Sequence, residues 1–322
     1  MNKKHRLTEA AALALMAFPL SGQAQADYAY EQVDFPGDPA TQLFGINQPG
    51  IAVGNAFSLN LQGTLEEKPF TYEAKQGAFT AIDPVAGFQS TAILGINNRG
   101  DLVGSVVDSA NVESGFIRDH MGIETIFDHP DAAGFTQARG VNSRGLVTGF
   151  RDTNDLGSNF TGFIYDPASA TFTDIVPSVR TIAQGINSRG DVVGSAVFPG
   201  DADPCNPGAS AAGTVRYGWL RTQEGAVSYF SVNGMQTSAR GINDAGTVTG
   251  FVTTNALSNK SSGFVVELDG TQCQSITLAA EHLLEAPDAF ATFPQGITNS
   301  GVVSGNYWGE DGFTHGFIAT PE

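Results

Sequence analysis

The sequence predicts an all-β fold, a six-bladed β-propeller of four-stranded blades whose last blade is closed by the N-terminal strand. Three observations predict it: a hairpin signature that recurs along the chain, a repeat of blade length, and two chain ends that complete each other. The clearest copy of the signature is Gly185-Ile186-Asn187-Ser188-Arg189-Gly190-Asp191-Val192-Val193-Gly194. Others begin at Gly45, Gly95, Gly140 and Gly241, and a worn copy reads Gly296-Ile297-Thr298. Copies lie roughly 45 to 56 residues apart, room for four short strands each.

The first two strands of each repeat are set by the signature. Asn-x-x-Gly puts Asn at the first position of a type I turn, where its side chain bonds backbone further on. Gly then takes the positive φ that closes a hairpin through a bulge. β-Branched pairs such as Val192-Val193, Val147-Thr148 and Val248-Thr249 follow and favour a pleated strand. The Gly ending the second strand allows close backbone approach. A helix would carry three glycines in about ten residues, at ~1 kcal/mol each relative to Ala. The third strand is Gly-Phe or Gly-Trp: Gly115-Phe116, Gly162-Phe163, Gly218-Trp219, Gly263-Phe264 and Gly316-Phe317, with Pro69-Phe70 as the divergent first copy. The fourth ends in an Asp or Pro turn, as in Phe79-Thr80-Ala81-Ile82-Asp83-Pro84 and Phe172-Thr173-Asp174-Ile175-Val176-Pro177.

The ends decide between a ring and an open stack. Tyr30 to Pro36 has a fourth-strand sequence with no strands ahead of it, and the chain stops just after the sixth Gly-Phe strand. A solenoid would cap its terminal repeats with polar faces, whereas here one end fills the gap left by the other. Blade five departs from the pattern: Gln272 to Thr277 reads as its fourth strand, and Leu278 to Ala286 has the Ala/Leu/Glu content of a short helix packed through Leu283 or Leu284.

Residues 1–26 have the pattern of an export signal: Lys3, Lys4 and Arg6, then the apolar run Ala10 to Leu20, then Ala24-Gln25-Ala26 as a small-residue cleavage site. A mature domain spanning 27–322 is expected, secreted or periplasmic in a bacterium. The apolar run is too short to span a bilayer, and no other approaches that length. The formal charge is −17 for the whole chain, and the leader removes three bases and one acid. Such an excess repels phosphate backbones and anionic lipid, which argues against nucleic acid and membrane partners. A glycan or protein ligand and a monomeric state are expected. Cys205 and Cys273 would meet an oxidising compartment and form a candidate disulfide. Strand counting nevertheless puts them on opposite faces of blades four and five, about 15 Å apart.

The repeated Gly-Ile-Asn-x-x-Gly-x-Val-Val-Gly followed by a Gly-Phe strand resembles the HAF-type extracellular repeat family of bacteria, named for a His-Ala-Phe at the third strand. That triplet survives here as His315-Gly316-Phe317. The resemblance covers Asp27 to Glu322 and implies export and a propeller-like fold. It implies no established activity and carries over no catalytic residues.

Strand alternation puts the loops joining strands two and three on one face of the ring, together with the blade-to-blade links. That face receives the long segments Phe57 to Lys68, Asp152 to Thr161, Phe198 to Arg216, Thr253 to Ser262 and Trp308 to Thr314. Long loops on a rigid scaffold are where binding sits. The position three before each repeated Asn is Phe44 and Leu94 in blades one and two, then Arg139, Gln184, Arg240 and Gln295. Pointing to the axis, these four make a crescent of donors for a carboxylate, a sugar or water; otherwise they hydrogen-bond neighbouring blade backbones. Trp308 could stack on a sugar ring or pack in the core. The loop acids Asp152, Asn154, Asp155 and Asn159, Asp201 and Asp203, and Glu310 and Asp311 lack the spacing of a calcium loop, so no cofactor is implied, with calcium the one ion weighed. The four histidines after the leader fall on different repeats without metal-ligand spacing, and Gly-x-Ser-x-Gly does not occur. The leading expectation is a binding or interaction module for a glycan, peptide or envelope partner through the long-loop face and channel. The alternative is a polysaccharide-active hydrolase or lyase in the same channel.

Overall fold

A computed structural model describes residues 27–59, 63, 65–153, 159–175, 178, 180–207, 213–253 and 260–322. The leader and loop residues Asn154 and Asp155 lie outside these. Strand β1 (Tyr28–Val33) precedes blade one, which comprises β2 (Ala40–Ile46), β3 (Ile51–Leu59), β4 (Leu65–Glu73) and β5 (Ala78–Ala81). Blade two is β6 (Ser90–Ile96), β7 (Leu102–Val107), β8 (Glu113–Arg118) and β9 (Glu124–Phe127). Blade three is β10 (Thr136–Val141), β11 (Val147–Asp152), β12 (Phe160–Asp166) and β13 (Thr171–Ile175). Blade four starts with β14 (Arg180–Ile186), β15 (Val192–Pro199), β16 (Thr214–Arg221) and β17 (Val227–Val232). Blade five holds β18 (Gln236–Ile242), β19 (Thr247–Thr253) and β20 (Ser261–Glu267). After β21 (Cys273–Ile276), blade six is β22 (Ala289–Ile297), β23 (Val303–Gly309) and β24 (Thr314–Pro321), completed by β1.

The ring closes as the chain ends require. β1 runs antiparallel to β24, from Tyr28 opposite Pro321 to Val33 opposite Gly316. The inner strands also meet around the axis through their repeated glycines. A Cβ on Gly140 would stand 2.5 Å from the Gln184 carbonyl of the next blade, and one on Gly296 would stand 2.9 Å from the Ile46 nitrogen of blade one. Only glycine lets the six inner strands approach this closely, so the channel is narrow.

Each repeated Asn does two jobs. Its Oδ1 accepts a turn N–H, as from Ile51 to Asn47 at 2.9 Å and from Asp191 to Asn187 at 2.9 Å. Its Nδ2 donates to the carbonyl of the corresponding residue one blade on: Asn47 to Asn97, Asn97 to Asn142, Asn142 to Asn187, Asn187 to Asn243 and Asn243 to Thr298. The worn sixth copy keeps the first job, since Thr298 Oγ1 accepts the Val302 N–H at 3.0 Å. It has no amide for the second. Instead the Asn299 N–H donates to Gln48 Oε1 at 2.9 Å and joins blade six to blade one.

The third-strand aromatics Phe70, Phe116, Phe163, Trp219, Phe264 and Phe317 are all fully buried. Several lie over the second-strand glycine: the Trp219 ring is 2.7 Å from where a Cβ of Gly194 would sit, and the Phe317 ring 2.6 Å from that of Gly305. With branched aliphatics from the adjoining sheet they form clusters between blades, such as Val193, Phe230, Ala239, Val248 and Phe264 between blades four and five. Burying side chains of this size stabilises by about 1.5–3 kcal/mol each.

Blade five differs from expectation. Cys273–Ile276 is not its fourth strand; it pairs in parallel with β17 and becomes the fifth strand of blade four. The slot beside Gly263 is filled by Leu284, which exchanges two 2.8 Å backbone hydrogen bonds with it. That bridge needs extended backbone, so the expected helix shrinks to one 3-10 turn, Ala280–His282, with Leu283 already at φ −81°, ψ 141° and Leu284 buried.

The transfer of this strand also brings the cysteines together. Cys205 and Cys273 form a disulfide with Cα atoms 5.5 Å apart, not on opposite faces of two blades. The insertion after β15 folds down the outside of blade four, held where Asp203 accepts the Cys205 N–H at 2.8 Å and the Tyr217 hydroxyl at 3.2 Å.

Candidate functional site

The channel is layered along its axis. The position three before each repeated Asn lines the channel in all six blades: Phe44, Leu94, Arg139, Gln184, Arg240 and Gln295 surround a cavity of about 90 Å³. Beyond them a collar of Ile46, Ile96, Val141, Ile186, Ile242 and Ile297 separates this tier from a smaller cavity of about 70 Å³ at the asparagine end. On the long-loop side the channel opens into a mouth of about 570 Å³. The apolar collar makes this side the accessible one for a polar ligand.

Among the described residues no hydrogen bond or ion pair is made by the Arg139 or Arg240 side chain. The backbone groups they were weighed against are taken by smaller side chains, as where Thr148 Oγ1 donates to the Gln184 carbonyl at 2.6 Å and Ser304 Oγ to that of Phe44 at 2.8 Å. Each guanidinium instead lies over an aromatic ring, Arg139 at 5.4 Å from the Phe150 centroid and Arg240 at 5.0 Å from that of Phe251. Both Nε atoms are buried without a partner. Burial lowers the pKa of Arg240 to about 9, aided by the charges of Arg139 and Arg216. Burial likewise lowers that of Arg139 to about 10, against the pull of Glu113.

Lining the same mouth are two acids that sequence reasoning passed over, Glu67 on β4 and Glu113 at the start of β8. Burial and then the charge of Glu113 raise the Glu67 pKa to about 7, so its carboxyl is substantially protonated near neutral pH. Gln137 Nε2 donates to Glu113 Oε1 at 2.6 Å and fixes that carboxylate. Glu67 and Glu113 sit at the same strand end in successive blades. That register was the available signal, but blade one's divergent third strand hid it.

Trp308 does not join the site. It lies within β23, 48% exposed, and lines neither the channel nor its mouth. The segment expected to be a long loop there is a tight turn: Asp311 Oδ1 accepts the Phe313 N–H at 3.0 Å, and Gly309 N–H bonds the Phe313 carbonyl at 2.9 Å.

Two of the weighed loop acids, Asp152 and Asp311, are engaged within the protein. Asp152 Oδ1 accepts three N–H groups, from Ala133, Gly134 and Phe135. Asp311 bonds His315 Nε2 at 3.0 Å, whose Nδ1 faces Asp34 at 3.0 Å. One cluster with metal-ligand types was not expected, namely His129, Asp131 and Asp174. Its groups already have partners, because the Arg151 guanidinium lies 3.0 Å from Asp174 Oδ2 while His129 Nδ1 accepts the Asp131 N–H at 3.1 Å.

No family model and no curated protein matches the chain. Solved structures do match. A structure assigned as a gluconolactonase aligns over 92% of both chains with a TM-score of 0.51 at 10% identity. A streptogramin B lyase aligns over 90% of this chain and 97% of its own, TM-score 0.43, 12% identity. The propeller domain of the trilobed protease of Pyrococcus furiosus aligns over 88% and 84%, TM-score 0.45, 13% identity. At such identities the likeness shows the fold and nothing of chemistry. Among the described residues no helix is long and apolar enough to cross a membrane.

Proposed function

We propose that this propeller is an exported binding module that takes a glycan at the long-loop mouth of its channel. The observation that carries the reading is the mouth itself, a cavity of about 570 Å³ where polar and aromatic side chains from five blades converge above a closed apolar collar. Phe57 and Phe293 offer apolar surface for a sugar ring, and Gln42 and Gln295 offer neutral hydrogen-bonding groups. Export rests on the leader pattern of residues 1–26, and the HAF-type repeat signature is consistent with it.

Binding to an oligosaccharide panel, with the mixture followed by mass spectrometry, tests this. Saturable binding without shorter products supports a module, and no binding to any saccharide rejects the glycan reading. One observation favours a second reading, a polysaccharide-cleaving enzyme: Glu67, its pKa raised by burial and by the neighbouring Glu113, makes with Glu113 a pair of carboxyl groups of the kind that glycoside hydrolysis uses, one as acid and the other as base or nucleophile. Release of oligosaccharides by the wild type that disappears in both Glu67→Gln and Glu113→Gln selects this reading.

A further inference from the structure

Four arginines elsewhere in the described chain have acid partners, Arg99 with Asp101, Arg118 with Glu124, Arg151 with Asp174 and Arg189 with Asp191, and among the rest Arg144 and Arg221 donate to backbone carbonyls while Arg180 lies over the Phe160 ring. With 33 acids against 16 bases, a partner is easy to supply. Arg139 and Arg240 have none, although they are the arginines that face the channel and the mouth. Their Nε atoms are buried and unpartnered, and the Arg139 charge opposes that of Arg240. Two desolvated guanidinium groups in one cavity are stabilised by an anion that bonds both, and the fork of N–H donors suits a carboxylate.

We propose that the mouth selects a saccharide bearing a carboxylate, a uronate-type sugar, with Arg139 and Arg240 receiving the carboxylate. This rests on the glycan-binding reading above and names its ligand class. Two acids in the same mouth decide between a sugar and an acidic peptide. The carboxyl groups of Glu67 and Glu113 accept hydrogen bonds from hydroxyls, which a sugar ring supplies in number and an acidic peptide does not. The chain's net negative charge does not oppose a single carboxylate at this depth, since distant surface charges are screened beyond ~8–10 Å.

The test is isothermal titration of the full chain with trisaccharides carrying one galacturonate, glucuronate or mannuronate residue, each beside its neutral parent sugar, and with inorganic sulfate and triglutamate. At least one uronate trisaccharide binds about tenfold or more tighter than its neutral parent. Arg139→Gln and Arg240→Gln each weaken it by roughly tenfold to a hundredfold, the worth of a charge-assisted hydrogen bond, and abolish the preference. Arg240→Lys keeps the charge without the planar fork and retains part of the preference. Equal affinity for uronate and neutral sugars overturns the carboxylate assignment while leaving glycan binding in place. No saccharide binding at all overturns both. Tighter binding of triglutamate, or of sulfate, overturns the ligand class. The uronate-to-neutral ratio is read on the wild type, so the inference stays falsifiable if a variant fails to fold.

Discussion

Replacing Glu67 by Gln should change how stability depends on pH. Glu67 titrates near 4.5 when unperturbed and at about 7 in the folded mouth, where burial and the Glu113 charge oppose its ionisation. A folded-state value above the unfolded one means that the unfolded chain loses its proton first as pH rises. Folding therefore becomes progressively less favourable from about pH 4.5 to about pH 7 and levels off above. Each pH unit across that interval is worth ~1.4 kcal/mol, so a fully buried group would forfeit about 3 kcal/mol. Solvent at the open mouth reduces that to on the order of 2 kcal/mol. Glu67→Gln is always neutral and removes this slope. Urea denaturation at half-unit steps from pH 4 to 8 compares the two proteins, expected to be closely matched at the acid end and to separate steadily toward pH 7. Curves that stay parallel across the interval would show that Glu67 ionises as it does in the unfolded chain, and the acid–base pairing in the mouth would fall with it.

Three further outcomes can be measured. Cys205→Ser or Cys273→Ser opens a loop of 68 residues, which the chain-entropy model values at about 4 kcal/mol, seen as a melting temperature roughly 5–10 °C lower; an unchanged melting temperature contradicts the cross-link. Gly104→Ala brings a Cβ within 1.9 Å of the Ala92 carbonyl and should cost more than about 3 kcal/mol, whereas Gly134→Ala, with open space around it, should stay within about 0.5 kcal/mol; equal effects refute the close-approach account. Burial alone would lower the pKa of His315, but hydrogen bonds to Asp34 and Asp311 and their charges raise it. Its stabilising contribution is then full below about pH 6.5 and lost as pH rises through the folded value. His315→Gln should be less stable than wild type in acid and match it in alkali, by thermal denaturation, and the reverse order sinks the assignment.

Local chemistry made much of the ring legible before any coordinates. Asn-x-x-Gly specifies its own turn because the hydrogen bonds lie within five residues, and the fourth-position glycines do adopt φ between 83° and 97°. The inward direction of Arg139, Gln184, Arg240 and Gln295 followed from fixed spacing to the repeated Asn, since strand periodicity sets side-chain direction. The same reasoning misplaced Trp308, because a strand that continues two residues further turns a loop residue into a strand residue. It also gave Cys273–Ile276 to blade five, because the four-strand count is a rule of sequence order whereas an exposed strand edge accepts whichever segment reaches it.

The sequence by itself determined the repeat, its turns and strands, the ring closure through the two ends, and which position of each inner strand to weigh for the channel, because each depends on spacing within one repeat or on the mismatch between the termini. Tertiary structure alone decided the fifth strand of blade four, the cross-link that follows from it, and the meeting of Glu67 and Glu113 with Arg139 and Arg240 in one mouth. Those depend on distances between blades. Side chains 26 to 173 residues apart along the chain become neighbours only when the circle closes, and a spacing pattern within one repeat carries no information about that.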